Sequence, residues 1–199
     1  WKLTPTRKFN TKSAYNLCLQ VMREEGEPQP RALADNTKEL LKQVWKAKDI
    51  APRIQTFVWR LIRKALPTGK RAGKHSKYIS TRCARCGLED DEMHILFTCL
   101  FARAAWFAKP WYIRSDLLIQ NSDSLASIIM SFASSDHPYA TLSNIFTFMW
   151  CLWKARNDNL FGRKQNTPLQ VHQTMQAIIK NQDLLSYRDN VGDATMLEQ

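Results

Sequence analysis

Cys83-Ala84-Arg85-Cys86-Gly87-Leu88-Glu89-Asp90-Asp91-Glu92-Met93-His94-Ile95-Leu96-Phe97-Thr98-Cys99 is the stretch on which the reading of this chain turns. It spaces four donors as C-x2-C-x7-H-x4-C. Zinc takes four tetrahedral nitrogen and sulfur ligands, and a Cys3His set leaves no open position. The pattern therefore predicts one structural zinc ion on Cys83, Cys86, His94 and Cys99. Two residues between the first cysteines make a tight turn that aims both sulfurs at one point. Gly87, directly after it, permits the left-handed backbone such turns often need. Arg82 and Arg85 flank the turn and favour thiolates over thiols.

The rival reading is a set of free or disulfide-bonded cysteines. The chain has five, an odd number, and Cys18 and Cys151 fall on apolar helical stripes where they read as ordinary core residues. Three cysteines and a histidine remain, which suits a metal better than disulfides. His75, His137 and His172 have no such neighbours in sequence and read as surface or satisfied core histidines.

The H-x4-C step constrains the backbone. Positions i and i+5 of an ideal α-helix lie roughly 140° apart, so one straight helix does not aim both at one ion. The spacing predicts a helix that starts near Asp91, carries His94 and breaks near Thr98-Cys99, with a second helix restarting at Leu100 or Phe101. Glu89, Asp90, Asp91 and Glu92 then occupy the N-terminal turn, where the macrodipole favours carboxylates. A catalytic or Mg2+-binding carboxylate cluster is the competing reading, but adjacent acids on one turn splay apart.

Outward from this stretch the apolar spacing is helical. Ser13 can cap a helix with Ala14, Leu17, Cys18 and Val21 on one face. Residues 24–36 are acidic and then Pro-interrupted, a linker. Asn36 or Thr37 can cap a helix with the stripe Leu40, Leu41, Val44 and Trp45. Pro52 suits the first turn of a third helix carrying Phe57, Val58, Leu61, Ile62, Ala65 and Leu66, which Pro67 stops. Phe101 to Lys109 reads as a short helix, and Ser115 or Ser124 starts the next apolar segment. The strongest helix carries Leu142, Ile145, Phe146, Met149, Trp150, Trp153 and Leu160, with Gly162 as its C′ residue. Thr167-Pro168 opens a last helix with Val171, Met175, Ile178 and Ile179. The predicted class is all-α: a helical domain with a small Cys3His zinc-stabilised loop and at most one short hairpin beside it. Three parts are expected: an N-terminal helix and linker (1–34), a basic helical region with the zinc knuckle (35–112), and a C-terminal helical part (113–199).

Charge is localised. Between Ile50 and Leu88 stand ten basic residues and no acidic one: Arg53, Arg60, Arg63, Lys64, Lys70, Arg71, Lys74, Lys77, Arg82 and Arg85. The remaining chain holds 19 basic and 18 acidic residues, so nearly all of the +11 net charge comes from this block. Like charges repel, and a polyanionic partner relieves that repulsion. Nucleic acid is the favoured partner. An acidic protein, a membrane surface and a solvated face without a partner are the competing readings. No apolar run approaches the ~18 residues of a membrane span. The chain opens on Trp1 with no Met, apolar h-region or cleavage site, so no secretory signal is read, and that start suggests a piece of a longer polypeptide.

Several landmarks in order resemble the zinc-binding region that follows the reverse transcriptase in plant LINE-type (non-LTR) retrotransposons, and its stand-alone copies. Phe9-Asn10-Thr11-Lys12-Ser13-Ala14-Tyr15 is similar to that family's F-[ST]-x-K-S-A-Y. Pro52-Arg53-Ile54-Gln55-Thr56-Phe57-Val58-Trp59-Arg60, preceded by Trp45, resembles its P-K-[VI]-x-x-F-x-W-[RK]. Leu66-Pro67-Thr68, the Cys3His set and Trp106 follow at the family's positions, and Trp150-Cys151-Leu152-Trp153-Lys154-Ala155-Arg156-Asn157 resembles its W-x-[IL]-W-x-x-R-N. The resemblance covers about residues 1–165. Two departures stand out. Leu100 takes the place where a proline often follows the last cysteine, and the spacing differs from the retroviral knuckle C-x2-C-x4-H-x4-C. No Tyr-x-Asp-Asp polymerase motif occurs.

The resemblance implies a module that handles template RNA or target DNA, inside the cell and in the nucleus. The basic block would contact phosphates through Arg53, Arg60, Arg63, Lys64, Lys70, Arg71, Lys74, Lys77, Arg82 and Arg85, with little sequence reading. Tyr78 and Trp59 are placed to stack on unpaired bases, although helical spacing with Phe57, Leu61 and Ile62 favours the core for Trp59. The alternative is a domesticated protein-interaction or oligomerisation module, using Phe146 to Trp153 as its surface. A helix apolar all round is more often internal. No nucleophile, base and orienter can be assembled, so no enzyme is expected.

Overall fold

Residues 10–24, 34–120 and 124–196 are described by the computed structural model, with the side chains of the last helix described as far as Gln182. Phe9 and most of the 24–36 linker lie outside the described residues. The chain divides into two units, Trp1–Asp35 and Asn36–Gln199. The first unit contains helix α1 (Thr11–Glu24). Its cap is Asn10, whose Oδ1 accepts the Ser13 amide at 2.8 Å, so the helix starts before the predicted cap Ser13. Cys18 is exposed on α1 and is not the core residue its stripe predicts.

The second unit begins within the first turn of α2 (Asp35–Lys46). Leu40 and Val44 are buried, while Trp45 is exposed and leaves the predicted stripe. Helix α3 (Pro52–Ile62) starts on Pro52 as expected and buries Ile54, Phe57, Val58 and Leu61. Gln55 Nε2 bonds the Val44 and Ala47 carbonyls and ties α3 to the end of α2. Trp59 is 43 % exposed, against the core position predicted from its neighbours. The inward side of α3 is filled by Ile54, Phe57, Val58 and Leu61. The helix also ends earlier than Leu66. Ala65 N–H bonds Arg60 O at 2.7 Å and Lys64 N–H bonds Leu61 O at 3.0 Å, the paired bonds of a Schellman closure. Lys64 takes the left-handed position at φ 51°. Pro67 then disfavours helical backbone at Leu66, which is buried in the turn that follows.

Thr68 caps the single turn α4 (Gly69–Ala72). The chain then loops to Arg82, where one antiparallel bridge to Glu89 is all that forms of the expected hairpin among the described residues. A π turn (His94–Thr98) leads through Cys99 into α5 (Leu100–Phe107). The single segment expected at 115–132 is two helices, α6 (Ser115–Leu118) and α7 (Leu125–Ala133), the second capped by Ser124. Helix α8 (Leu142–Leu160) closes with Gly162 at φ 64°, the C′ role predicted for it. Pro168 starts α9 (Pro168–Met196), with Val171, Met175 and Ile178 buried. All the regular elements described are helices, in keeping with the all-α expectation.

Helix α8 is the axis of the second unit. It touches α9, α3, α7 and the π turn, and it buries Ile145, Phe146, Thr147, Phe148, Met149, Cys151, Leu152 and Ala155 on several sides. Trp106 of α5 joins these elements. Its ring stacks on Phe97 at 6.0 Å, meets Phe148 edge-on at 4.6 Å and Phe132 at 5.8 Å. Its Nε1 donates to the Leu96 carbonyl at 2.7 Å. Replacing Trp106 with Phe keeps a ring but leaves that buried carbonyl without its donor. Trp106→Phe is expected to lower unfolding free energy by about 1–3 kcal/mol in denaturant titrations; an unchanged midpoint would show that the bond contributes nothing.

Candidate metal centre

The four predicted ligands converge. Sγ of Cys83, Cys86 and Cys99 and a ring nitrogen of His94 all lie within 4.8 Å of one another, with Cys83, His94 and Cys99 buried. A tetrahedral zinc with bonds of about 2.3 Å to sulfur has sulfur–sulfur edges of about 3.8 Å. The set fits one zinc ion, and four protein donors fill its tetrahedral shell, as in a structural centre.

Local backbone forces explain how each ligand is aimed. Cys83 N–H bonds Leu88 O at 2.7 Å and Gly87 N–H bonds Cys83 O at 2.9 Å, which closes the C-x2-C turn. Gly87 stands at φ 76°, the left-handed conformation its position predicts. Arg82 braces the turn by donating to Gly87 O at 3.0 Å. On the other side, Asp91 Oδ1 accepts the His94 amide at 2.9 Å and starts the helical turn. The chain then widens. Cys99 N–H bonds His94 O at 2.8 Å, a step of five residues that brings Cys99 back over His94. This π winding answers the 140° mismatch of an α-helix. The break at Thr98-Cys99 and the restart at Leu100 fall where the spacing predicts.

His94 is oriented from behind. Nε2 lies 3.2 Å from Cys86 Sγ, while Nδ1 lies 3.3 Å from Thr98 Oγ1. A hydroxyl on the far nitrogen fixes which nitrogen faces the sulfurs. The sequence offered no signal for Thr98 beyond its place in the turn. The sulfurs are electrostatically unequal. The Cys99 thiol donates to Cys83, and this, with the backbone amides of Arg85 and Cys86 and with His94, pulls the Cys83 thiol well below the ordinary range against the cost of burial. That same donation, followed by burial, pushes Cys99 upward. Thiolate is thus favoured at Cys83 and disfavoured at Cys99, and a zinc ion would take the place of the proton they share.

The loop is clamped to α8 by two arginines. Arg85 lies 3.8 Å over the Phe101 ring and donates to Ala155 O at 3.3 Å. Arg156 of α8 pairs with the buried Asp90, whose carboxylate also accepts the Gly69 amide at 2.7 Å. Arg156 lies 5.2 Å from the Trp153 ring. The 89–92 acids therefore have separate tasks. Asp90 is a buried anchor and Asp91 a cap. Glu89 pairs with Lys70 at 2.5 Å, and Glu92 with Arg71 at 3.8 Å. Glu89 and Asp91 share Lys70, whereas Asp90 and Glu92 face other partners, and the four are not a metal-holding group among the described residues.

The candidate nucleic-acid residues fall into two groups. Lys70 and Arg71 meet these acids, Arg85 is half-buried under α8, Arg82 braces the knuckle, and Arg53 lies 5.2 Å from the Trp150 ring. Arg60, Arg63, Lys64, Lys74 and Lys77 are exposed and form no ion pair among the described residues. Tyr78 is fully exposed. The block that is free of acids in sequence is thus partly compensated in space, because the chain folds 89–92 back onto α4.

Two measurements follow from this geometry. Cys83→Ser is expected to lose zinc, read by elemental analysis, and to expose about 80–112 to protease, since metal binding free energy is folding free energy in such centres. Unchanged metal content and melting would contradict the ligand set. Separately, Cys99 stands at φ −57°, ψ 136°, the backbone that precedes proline, and Leu100 is the first residue of α5 and exposed. Leu100→Pro is expected to stabilise the fold by about 0.4–1 kcal/mol, measured by thermal melting; a loss of stability would refute the assigned geometry.

Compared with known proteins, residues 9–106 match the family described as zinc-binding in reverse transcriptase. No curated protein and no solved structure matches the chain.

Proposed function

We propose that this chain, a member over residues 9–106 of the family described as zinc-binding in reverse transcriptase, uses its zinc-stabilised helical fold to bind the phosphate backbone of RNA or DNA. In this reading it is a binding module derived from a non-LTR retrotransposon, it catalyses no reaction, and it works in the nucleus. The observation that carries the reading is the unpaired cationic set Arg60, Arg63, Lys64, Lys74 and Lys77. Lys70 and Arg71 are paired with acids and Arg85 is tied to α8, yet these five face water with no ion pair among the described residues. Lys64 adds weight. It occupies a left-handed position where glycine fits with less strain, and it keeps a cation there. The centre itself has no vacant position for a reacting water, which accords with a structural ion.

The surface suggested for a protein partner does not support the alternative. Phe146, Phe148, Met149 and Leu152 are buried, and Trp150 and Trp153 are partly covered beneath Arg53 and Arg156. No helix among the described residues is long and apolar enough to cross a membrane.

Fluorescence anisotropy of labelled RNA and DNA over a salt series tests the proposal. Neutralising about five phosphates gives a slope of log K against log salt of about −3.5 to −4.5. Arg60→Gln together with Arg63→Gln is expected to flatten that slope by about 1.4–1.8. A slope near zero for the wild-type chain would refute nucleic-acid binding.

A further inference from the structure

We infer that the chain grips an unpaired nucleic-acid strand, with Trp59 on the outer side of α3 stacking on a base while Arg60 and Arg63 hold the adjoining phosphates. This rests on the nucleic-acid reading above and adds the form of nucleic acid and the side chain that distinguishes it.

The two sides of α3 differ sharply. Ile54, Phe57, Val58 and Leu61 face inward and are buried. The outer side carries Arg53, Thr56, Trp59 and Arg60, with Arg63 at the helix end one turn beyond Trp59. The helix has no acidic residue. Four other tryptophans of the second unit have partners, while Trp45 is exposed on α2, which carries acids that α3 lacks. Trp106 and Trp111 are in the aromatic core, and Trp150 and Trp153 each meet an arginine. Trp59 has neither an aromatic nor a cation–π partner among the described residues, and its indole is 43 % exposed. A single exposed apolar side chain is ordinary on a protein surface. One on the same outer side of a helix as two unpaired guanidinium groups, Arg63 one turn on and Arg60 next in the chain, is a different arrangement, because it joins a flat apolar face to two phosphate-binding charges.

That combination selects its ligand by chemistry. In a duplex the base faces are covered by their neighbours, so an indole finds only phosphates and groove edges. An unpaired strand offers each base face to an aromatic ring and its phosphates to adjacent cations. The stacking residue lies on α3 and not on the zinc knuckle, whose own arginines are used to brace the turn and to reach α8. Tyr78, fully exposed beside Lys77 in the loop before the knuckle, repeats the pairing of ring and cation.

The test uses the full zinc-loaded chain with three labelled probes of equal length: an oligothymidine strand, an oligouridine strand and a mixed-sequence DNA duplex. The wild-type chain is expected to bind both single strands more tightly than the duplex. Trp59→Ala should weaken single-strand binding about tenfold and leave duplex binding unchanged, while Trp59→Phe keeps most of the single-strand affinity. Circular dichroism and zinc content verify the fold. Should Trp59→Ala fail to fold, Trp59→Leu, which keeps apolar bulk without a π face, must show the same selective loss relative to Trp59→Phe. An equal loss on all three probes, or no loss on any, overturns the stacking role while nucleic-acid binding stands. Absence of wild-type binding to every probe overturns the nucleic-acid reading itself, and this inference with it.

Discussion

Five residues separate His94 from Cys99, and both side chains must reach one point. An α-helix places them on different sides, so the backbone between them has to widen. The bond from the Cys99 amide to the His94 carbonyl is that widening. The turn ends at Cys99, whose extended backbone leaves the Leu96 and Phe97 carbonyls among the last of the turn, and buried carbonyls need donors. Trp106 Nε1 takes the first at 2.7 Å and Ser115 Oγ takes the second at 2.6 Å. Both donors come from the chain that follows the last ligand. The ligand spacing therefore reaches beyond the metal. It calls for a tryptophan, and the tryptophan in turn seats the aromatic core formed with Phe97, Phe132 and Phe148.

A second link joins the same loop to α8. In the Asp90–Arg156 pair Asp90 is buried and Arg156 largely covered, and such pairs contribute little net stability because desolvation offsets their attraction. Their contribution is register. Asp90 also accepts the Gly69 amide, so one carboxylate fixes α4, the knuckle and α8 at once. Arg85 makes a parallel tie from the cysteine turn to the Ala155 carbonyl. The metal loop and the C-terminal helices are consequently parts of one fold, and the unpaired cations at the end of α3 and in the loop before the knuckle are carried on its surface.

What could be read from the residues was what depends on neighbours in sequence. The ligand set, the left-handed Gly87, the break before Leu100, Pro52 at a helix start and Gly162 at a helix end follow from covalent geometry over a few positions. The family landmarks added the ordered placement of the tryptophans. What could not be read depends on contacts across the chain. Trp59 has core-like neighbours at helical spacing, yet the inward side of α3 is already filled, and a period alone does not show that. Lys70 and Arg71 look uncompensated because their acids come after the basic block and return to it only through the fold. Asp90 looks like one of four interchangeable surface acids, and its burial against Arg156 is a contact over 66 positions. Cys18 lies on a stripe that the fold leaves exposed.

The central claim is that one zinc ion is held by three sulfurs and one imidazole, closing the loop from which the rest is braced. X-ray absorption at the zinc edge of the purified chain tests it directly. The account predicts three sulfur neighbours at about 2.3 Å and one nitrogen at about 2.0–2.1 Å, with no oxygen in the shell. A shell of nitrogen and oxygen, or fewer than three sulfurs, would contradict it.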